Sequence, residues 1–346
     1  VALIAGAEGA LSAAIAGGIG MRVFINGFGR IGRSVLRAFL QAPERWPGLQ
    51  IAGINDIAAA EMCAYLFEYD SVFGPWKGSV ALTDGALVVN GTGIPLHRVA
   101  DLSTLPLQGV DLVMECTGRA DQRDVAARGL RAGAHRVLIS GPSAAADATV
   151  VLGANDALLA TAPLIVSNAS CTTNALAPLV RLLDENWGVV TGSMTTIHCY
   201  TGSQPTVDAP AADFARSRAA ALSMVPTTTS AQRLLDSVLP HLAGRIQGSA
   251  VRVPTASVSA VDLAVMLAHV PDVAAVNAAL QGAGGVIGAT DRALVSSDLR
   301  ARPESIVMAL PETRITPGGL LRVFGWYDNE WGFSNRMLDV ALHMQA

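Results

Sequence analysis

The sequence predicts an α/β fold in two parts, a doubly wound parallel-sheet domain followed by an α+β domain with a mainly antiparallel sheet. Three observations predict it. From Met21 to about Ser170, apolar strand-like runs alternate with helix-like stretches. The first of those runs leads straight into Gly27-Phe28-Gly29-Arg30-Ile31-Gly32. After Asn174 the texture changes to longer β-prone segments.

Val23-Phe24-Ile25 reads as a buried parallel strand, and Ile31, Val35, Leu36, Phe39 and Leu40 then recur at helical spacing. A lone GxGxxG is weak, but between a strand and a helix it is the dinucleotide fingerprint of a Rossmann domain. Its glycines permit a tight turn, approach of backbone to a pyrophosphate, and close packing of helix on strand. A second strand, Leu49 to Ile54, ends in Asn55-Asp56, at the distance expected for an acid that bonds the adenosine ribose hydroxyls. A carboxylate there repels a ribose phosphate, so NAD is favoured over NADP. Further strands are predicted at Val110–Cys116, Arg136–Ser140 and Leu164–Val166, with helices at Ile31–Gln41, Ala59–Glu68 and Gln122–Ala132. Thr117-Gly118 and Ser140-Gly141-Pro142 follow strand ends, where dinucleotides sit in such sheets.

Ser167-Asn168-Ala169-Ser170-Cys171-Thr172-Thr173-Asn174 joins a strand-like run to a helix-like one, Ala175 to Leu183. The polar cluster supplies capping chemistry and sets Cys171 in the first helical turn. Unpaired N–H groups and the helix dipole there favour the thiolate, so the sequence predicts a depressed pKa and selective labelling by iodoacetamide. His198, near the exit of the β-rich run that begins at Met194, is the candidate base for the thiol proton. Beyond it, Ser249–Pro254, Ser257–His269 and Leu320–Trp326 read as strands. Val273–Gln281 and Ser334 to His343 read as helices, the last packing back on the first domain.

These patterns divide the 346 residues into an N-terminal extension outside the fold at 1–20, an NAD-binding domain at 21–170 and a catalytic domain at 171–328. A C-terminal helix at 329–346 joins the NAD-binding domain. The extension is rich in alanine and glycine and lacks the basic region of a secretory signal, so it reads as sequence upstream of a start at Met21. A composition of 51% hydrophobic and 15% charged residues argues against disorder. A net charge of −4 gives no pull toward nucleic acid or acidic membranes. Four scattered cysteines show no metal-ligand spacing and fit a reducing cytoplasm.

Taken together, Ile25 to Gly32, Ile54-Asn55-Asp56, Tyr69-Asp70-Ser71-Val72, Ser170 to Asn174 and His198-Cys199-Tyr200-Thr201-Gly202 resemble the phosphorylating glyceraldehyde-3-phosphate dehydrogenase family. The resemblance continues through Arg218-Ala219-Ala220-Ala221, Arg252-Val253-Pro254-Thr255 and Trp326 to Trp331. It implies that Cys171 attacks an aldehyde to form a hemithioacetal, with His198 taking the thiol proton. Hydride passes to the nicotinamide, and inorganic phosphate then cleaves the resulting thioester to an acyl phosphate. It implies NAD contacts from Gly27, Phe28, Gly29, Arg30, Ile31, Gly32, Asp56, Arg98, Thr117, Gly118 and Ser140, with Asn329 holding the nicotinamide carboxamide. Thr201 and Arg252 resemble the substrate-phosphate site, and Ser170, Thr172, Arg216 and Thr229 the inorganic-phosphate site. A homotetramer is implied, with the segment from Gly202 to Arg218 near a neighbouring cofactor; no metal is.

The chain departs from the family pattern at Ser203, where an aspartate is usual. Ser230 replaces a common glycine, Ala175 a frequent second cysteine, and Phe333 a common tyrosine. Residues Trp331 to Asp339 also resemble erythrose-4-phosphate dehydrogenase, which uses the same covalent chemistry. A non-catalytic NAD-binding regulatory protein is the alternative of a different class.

Overall fold

The computed structural model describes residues 20–345, which form two compact units. One takes the chain up to Val150, Ala157–Ala169 and the residues from Ser334 onward; the other takes Val151–Asp156 and Ser170–Phe333. The expected extension at 1–20 lies, apart from Gly20, outside the described residues.

The first unit carries β1 (Met21–Asn26), β2 (Leu49–Asn55), β3 (Val80–Thr83), β4 (Ala86–Val89), β5 (Thr92–His97), β6 (Leu112–Glu115), β7 (Arg136–Ile139), β8 (Ala148–Thr149) and β9 (Ile165–Ser167). Their order is β3-β4-β5-β2-β1-β6-β7-β9-β8. From β5 to β8 every neighbouring pair is parallel. The chain builds outward from β1 through β2 on one side and from β6 on the other, so the topological switch point lies between β1 and β6. That crevice is where an open parallel sheet binds its ligand.

Helix α1 (Arg30–Gln41) follows the glycine turn and buries Val35, Leu36, Phe39 and Leu40, as its periodicity predicts. Each such side chain contributes about 1.5–3 kcal/mol of transfer free energy. Helix α2 (Ala60–Glu68) follows β2. The single helix predicted over Gln122–Ala132 is two short ones, α3 (Arg123–Ala126) and α4 (Arg128–Arg131). Ala127 breaks the helical backbone between them. Gly129 lies so close to Val113 and Val137 that a Cβ would stand 3.0 Å from both side chains. The β3–β4 hairpin was not among the predicted strands. Its signal is the Asp84-Gly85 turn, with Gly85 at φ +74°.

The second unit begins with α5 (Cys171–Trp187), which buries Leu176, Leu179, Val180 and Leu183. Its sheet contains β10 (Val189–Cys199), β11 (Val225–Thr227), β12 (Ile246–Val253), β13 (Ser259–Leu267), β14 (Ile287–Thr290), β15 (Ile306–Ala309), β16 (Arg314–Ile315) and β17 (Leu320–Tyr327). The order is β11-β12-β10-β13-β17-β15-β14, with β16 also on β17. Only β10–β12 and β14–β15 are parallel, so the sheet is mainly antiparallel. Leu263, Val265 and Leu267 of β13 are buried, whereas Asp262, Ala264 and Met266 are only half-buried: a strand with one covered face. Helices α6 (Ala231–Val238) and α7 (Val273–Gly282) complete the unit.

Two segments divide differently from the sequence expectation. Val151–Asp156 packs in the second unit, where Arg181 of α5 donates to the carbonyls of Gly153 and Ala154. Helix α8 (Trp331–His343) begins in the second unit, and its residues from Ser334 onward belong to the first. There Arg45 donates to Asn335 Oδ1 at 2.7 Å and Trp46 Nε1 to Asp339 Oδ1 at 2.6 Å.

Candidate active site

The glycine turn of the first unit shows three distinct demands for a missing side chain. Gly27 has φ +93°, and a Cβ on it would stand 2.7 Å from the Cys116 and Thr117 backbone. A Cβ on Gly32 would stand 2.1 Å from the Gly27 carbonyl oxygen. Over Gly29 there is nothing within 4 Å. Turn and packing explain the outer two glycines; the open space over the middle one suits a ligand's close approach. The first-turn N–H groups of α1 have no intrahelical acceptors, which makes this end suited to a pyrophosphate.

Asp56 is tied to that turn. Its Oδ2 accepts from the Phe28 N–H at 2.6 Å and its Oδ1 from the Ala58 N–H at 2.9 Å, leaving lone pairs for ribose hydroxyls. Arg98 is exposed and donates to the Ile57 carbonyl at 3.0 Å. The Arg30 guanidinium pairs with buried Asp70, so its side chain braces the turn. Ile31 and Ser140 are half-buried, and Thr117 and Gly118 are exposed at the end of β6. A cavity of ≈ 380 Å³ is lined by Gly27, Gly29, Asp56, Thr117, Val99 and Arg119, among others.

Beneath it lies a polar network absent from the sequence prediction. Glu115, 3% exposed, accepts from Asn26 Nδ2 at 2.5 Å and from the Thr117 N–H at 2.9 Å. Asn55 donates to Asn26 Oδ1 at 2.8 Å. The signal available was a polar residue ending each of three apolar strands.

In the second unit, Ser170 caps α5: its Oγ accepts from the Thr173 N–H at 3.1 Å. Cys171 is thereby the first helical residue, and its Sγ lies 3.6 Å from His198 Nε2. His198 Nδ1 is 2.7 Å from the Cys199 carbonyl oxygen, and Arg252 Nη1 is 2.9 Å from the same Nδ1 and 3.0 Å from the same carbonyl. The carbonyl can only accept and the guanidinium can only donate, and both contact Nδ1, so Nε2 is the ring nitrogen left to face the thiol. Strand pairing of His198 with Arg252 between β10 and β12 sets the guanidinium beside the imidazole.

The titration of the pair differs from the sequence expectation. Burial pushes the Cys171 thiol above its ordinary range, against the pull of Arg252 and the Thr172 N–H. Burial, then the Arg252 charge, pushes His198 down to about 4, against the hydrogen bond to Cys199. Lost hydration thus favours the uncharged form of each group, against what Arg252 and the helix terminus supply to a thiolate. A neutral imidazole is the form that accepts a proton.

Tyr327, buried and edge-on to His198 with centroids 6.0 Å apart, bonds Thr172 Oγ1 at 2.8 Å and Thr196 Oγ1 at 2.7 Å. Thr172 is thus linked to the cysteine–histidine pair through a tyrosine the sequence did not single out. Asn329 is joined to the end of β10 through Cys199. Thr201 Oγ1 lies 3.0 Å from Ser203 Oγ. Arg216 and Thr229 bond within their own segments, to Asp213 and Ala231, and among the described residues no hydrogen bond joins them to Cys171 or Arg252. Among the described residues no group of His, Cys, Asp or Glu could hold a metal ion. No helix among them is long and apolar enough to cross a membrane.

Comparison with known proteins gives two family matches. Residues 21–123 match the NAD binding domain of glyceraldehyde 3-phosphate dehydrogenase, and residues 170–329 match its C-terminal domain. The chain is 45% identical to glyceraldehyde-3-phosphate dehydrogenase of Cereibacter sphaeroides over 329 residues, which span 94% of this chain and 98% of the relative. The enzymes of that name from Xanthobacter flavus and Pseudomonas aeruginosa are 45% and 46% identical over 331 residues, with the same coverage.

Proposed function

The chain belongs to the glyceraldehyde 3-phosphate dehydrogenase family, and from that premise we propose that it carries out NAD-dependent oxidative phosphorylation of glyceraldehyde 3-phosphate to 1,3-bisphosphoglycerate. What carries this assignment is Cys171 Sγ 3.6 Å from His198 Nε2, the ring nitrogen that faces the thiol. The first unit is the NAD-binding domain and the second the catalytic domain.

As the Cys171 sulfur bonds to the aldehyde carbon, its proton passes to His198 Nε2 and the carbonyl π pair moves onto oxygen. The developing oxyanion is met by the Cys171 N–H, which has no intrahelical acceptor at the helix start, and by the imidazolium just formed. Bound NAD supplies the acceptor for the hydrogen and two electrons that leave this carbon. The carbon remains on Cys171 as a thioester, which keeps the oxidation energy in a bond that inorganic phosphate can displace. Phosphate oxygen then bonds to the acyl carbon, the C–S bond breaks, and His198 can return a proton to the leaving sulfur.

Arg252 and Thr201 bind the substrate phosphate; Ser170, Thr172, Arg216 and Thr229 bind inorganic phosphate. The enzyme is a cytoplasmic homotetramer. Erythrose 4-phosphate is the second reading, kept by Ser203 facing Thr201 where the family usually has an aspartate. Steady-state NADH formation with each aldehyde, with and without inorganic phosphate, separates the two. Phosphate-dependent turnover favouring glyceraldehyde 3-phosphate is expected; phosphate-independent turnover favouring erythrose 4-phosphate rejects the first assignment.

A further inference from the structure

Three neighbouring strands of the second sheet, β10, β13 and β17, deliver one small hydrogen-bonded ring at their ends. Cys199 closes β10, Ser259 opens β13, and Asn329 lies two residues past the end of β17. All three side chains are buried, with Cys199 and Ser259 at 1% exposure and Asn329 at 6%. Asn329 Oδ1 lies 3.1 Å from Cys199 Sγ and 3.3 Å from Ser259 Oγ, and Ser259 Oγ lies 3.2 Å from the Cys199 amide nitrogen.

The direction of these bonds follows from their chemistry. A backbone N–H can only donate, so Ser259 Oγ accepts from Cys199, and its own proton is free to point at Asn329. Cys199 Sγ carries a single proton, and Asn329 Oδ1, 3.1 Å away, is placed to accept it. Burial pushes this thiol up to about 12, so the proton is present at physiological pH. The carboxamide oxygen is therefore held by two donors, while no protein hydrogen bond reaches Nδ2 among the described residues. Asp328 fixes the adjoining turn, accepting from the N–H groups of Glu330 at 3.0 Å and Trp331 at 2.8 Å.

We propose that Cys199 and Ser259 form a two-donor clamp that sets the flip of the Asn329 amide, so that its NH₂ end is the one offered to the carboxamide oxygen of the nicotinamide. Cys199 and Ser259 are positioning residues and act only through Asn329. An amide free to rotate would present oxygen to oxygen for part of the time, and the ligand's carboxamide would lose its donor. The proposal rests on the reading that Asn329 faces the nicotinamide.

Calorimetric titration of the full-length protein with NAD and with ADP-ribose, which lacks the nicotinamide, tests both layers. Cys199→Ala and Ser259→Ala are each expected to weaken NAD binding by about 3- to 10-fold, the effect of one hydrogen bond, and to leave ADP-ribose binding unchanged. Cys199→Ser, which keeps a donor, is expected to restore NAD affinity to within about twofold of the parent. Unchanged ADP-ribose binding also shows that each variant has folded. If Asn329→Ala lowers the preference for NAD over ADP-ribose while the Cys199→Ala/Ser259→Ala double variant keeps it, the clamp is wrong and the reading of Asn329 stands. If Asn329→Ala itself keeps that preference, the reading fails and the clamp with it. Equal loss of both ligands in Cys199→Ala would mean a merely structural role and overturn the proposal.

Discussion

The two units build their sites by opposite means. The nucleotide turn occupies six consecutive residues and works largely through atoms that are missing: Gly27 and Gly32 let backbones touch, and Gly29 leaves a space. The candidate catalytic cluster is assembled from Cys171, Thr196, His198, Cys199, Arg252, Ser259, Tyr327 and Asn329, brought together by strand pairing and a helix start. One site is specified locally and resists additions. The other is specified by topology and resists deletions.

The sharpest way to separate them is Cys171→Ser. Loss of the nucleophile is expected to lower turnover by about 10³-fold or more, with NAD affinity unchanged by titration. Substantial remaining activity would point to a different attacking residue, or to none.

A second difference is in acid. His198 titrates at about 4 in the folded chain against 6.5 for an ordinary imidazole, so between those values the unfolded chain holds the extra proton. This group's contribution to stability is full above pH 6.5 and drains away as the pH falls toward 4, by about 3 kcal/mol in all. Urea midpoints measured between pH 4.5 and 7 are expected to fall on acidification, and to fall less in His198→Asn. A resting imidazolium–thiolate pair would give the opposite trend for this residue.

The smallest changes probe the glycine turn. Gly32→Ala places a methyl against a backbone oxygen that cannot swing aside, at a cost of about 1–3 kcal/mol in stability. Gly29→Ala meets no protein atom, so its thermal midpoint is expected to stay at the parent value. Its NAD affinity is expected to drop by about tenfold, as the methyl fills the space above the turn. Parent-like affinity in Gly29→Ala would place the pyrophosphate elsewhere.

Legibility followed the same division. The strand before the glycine turn, the buried face of α1, the Ser170 cap and the β-prone runs of the second half are all written in short-range pattern. Glu115 with Asn26 and Asn55, Tyr327 between two threonines, and the Cys199–Ser259–Asn329 ring were not. Their partners are distant in sequence, and a polar residue at a strand end has no period to betray it. The split of the predicted helix at Ala127 escaped for a related reason, since close approach of Gly129 to Val113 and Val137 is a packing event.

By itself the sequence determined the strands and helix around the glycine turn, the family, and the identity of the thiol at a helix start. These depend on backbone preference, apolar spacing and local capping, which act over a few residues. Only the tertiary structure decided which ring nitrogen of His198 meets the thiol, which end of the Asn329 amide is pinned, and in which direction burial moves the Cys171 thiol. Those outcomes depend on desolvation and on donors from other strands, and neither exists until the chain has folded.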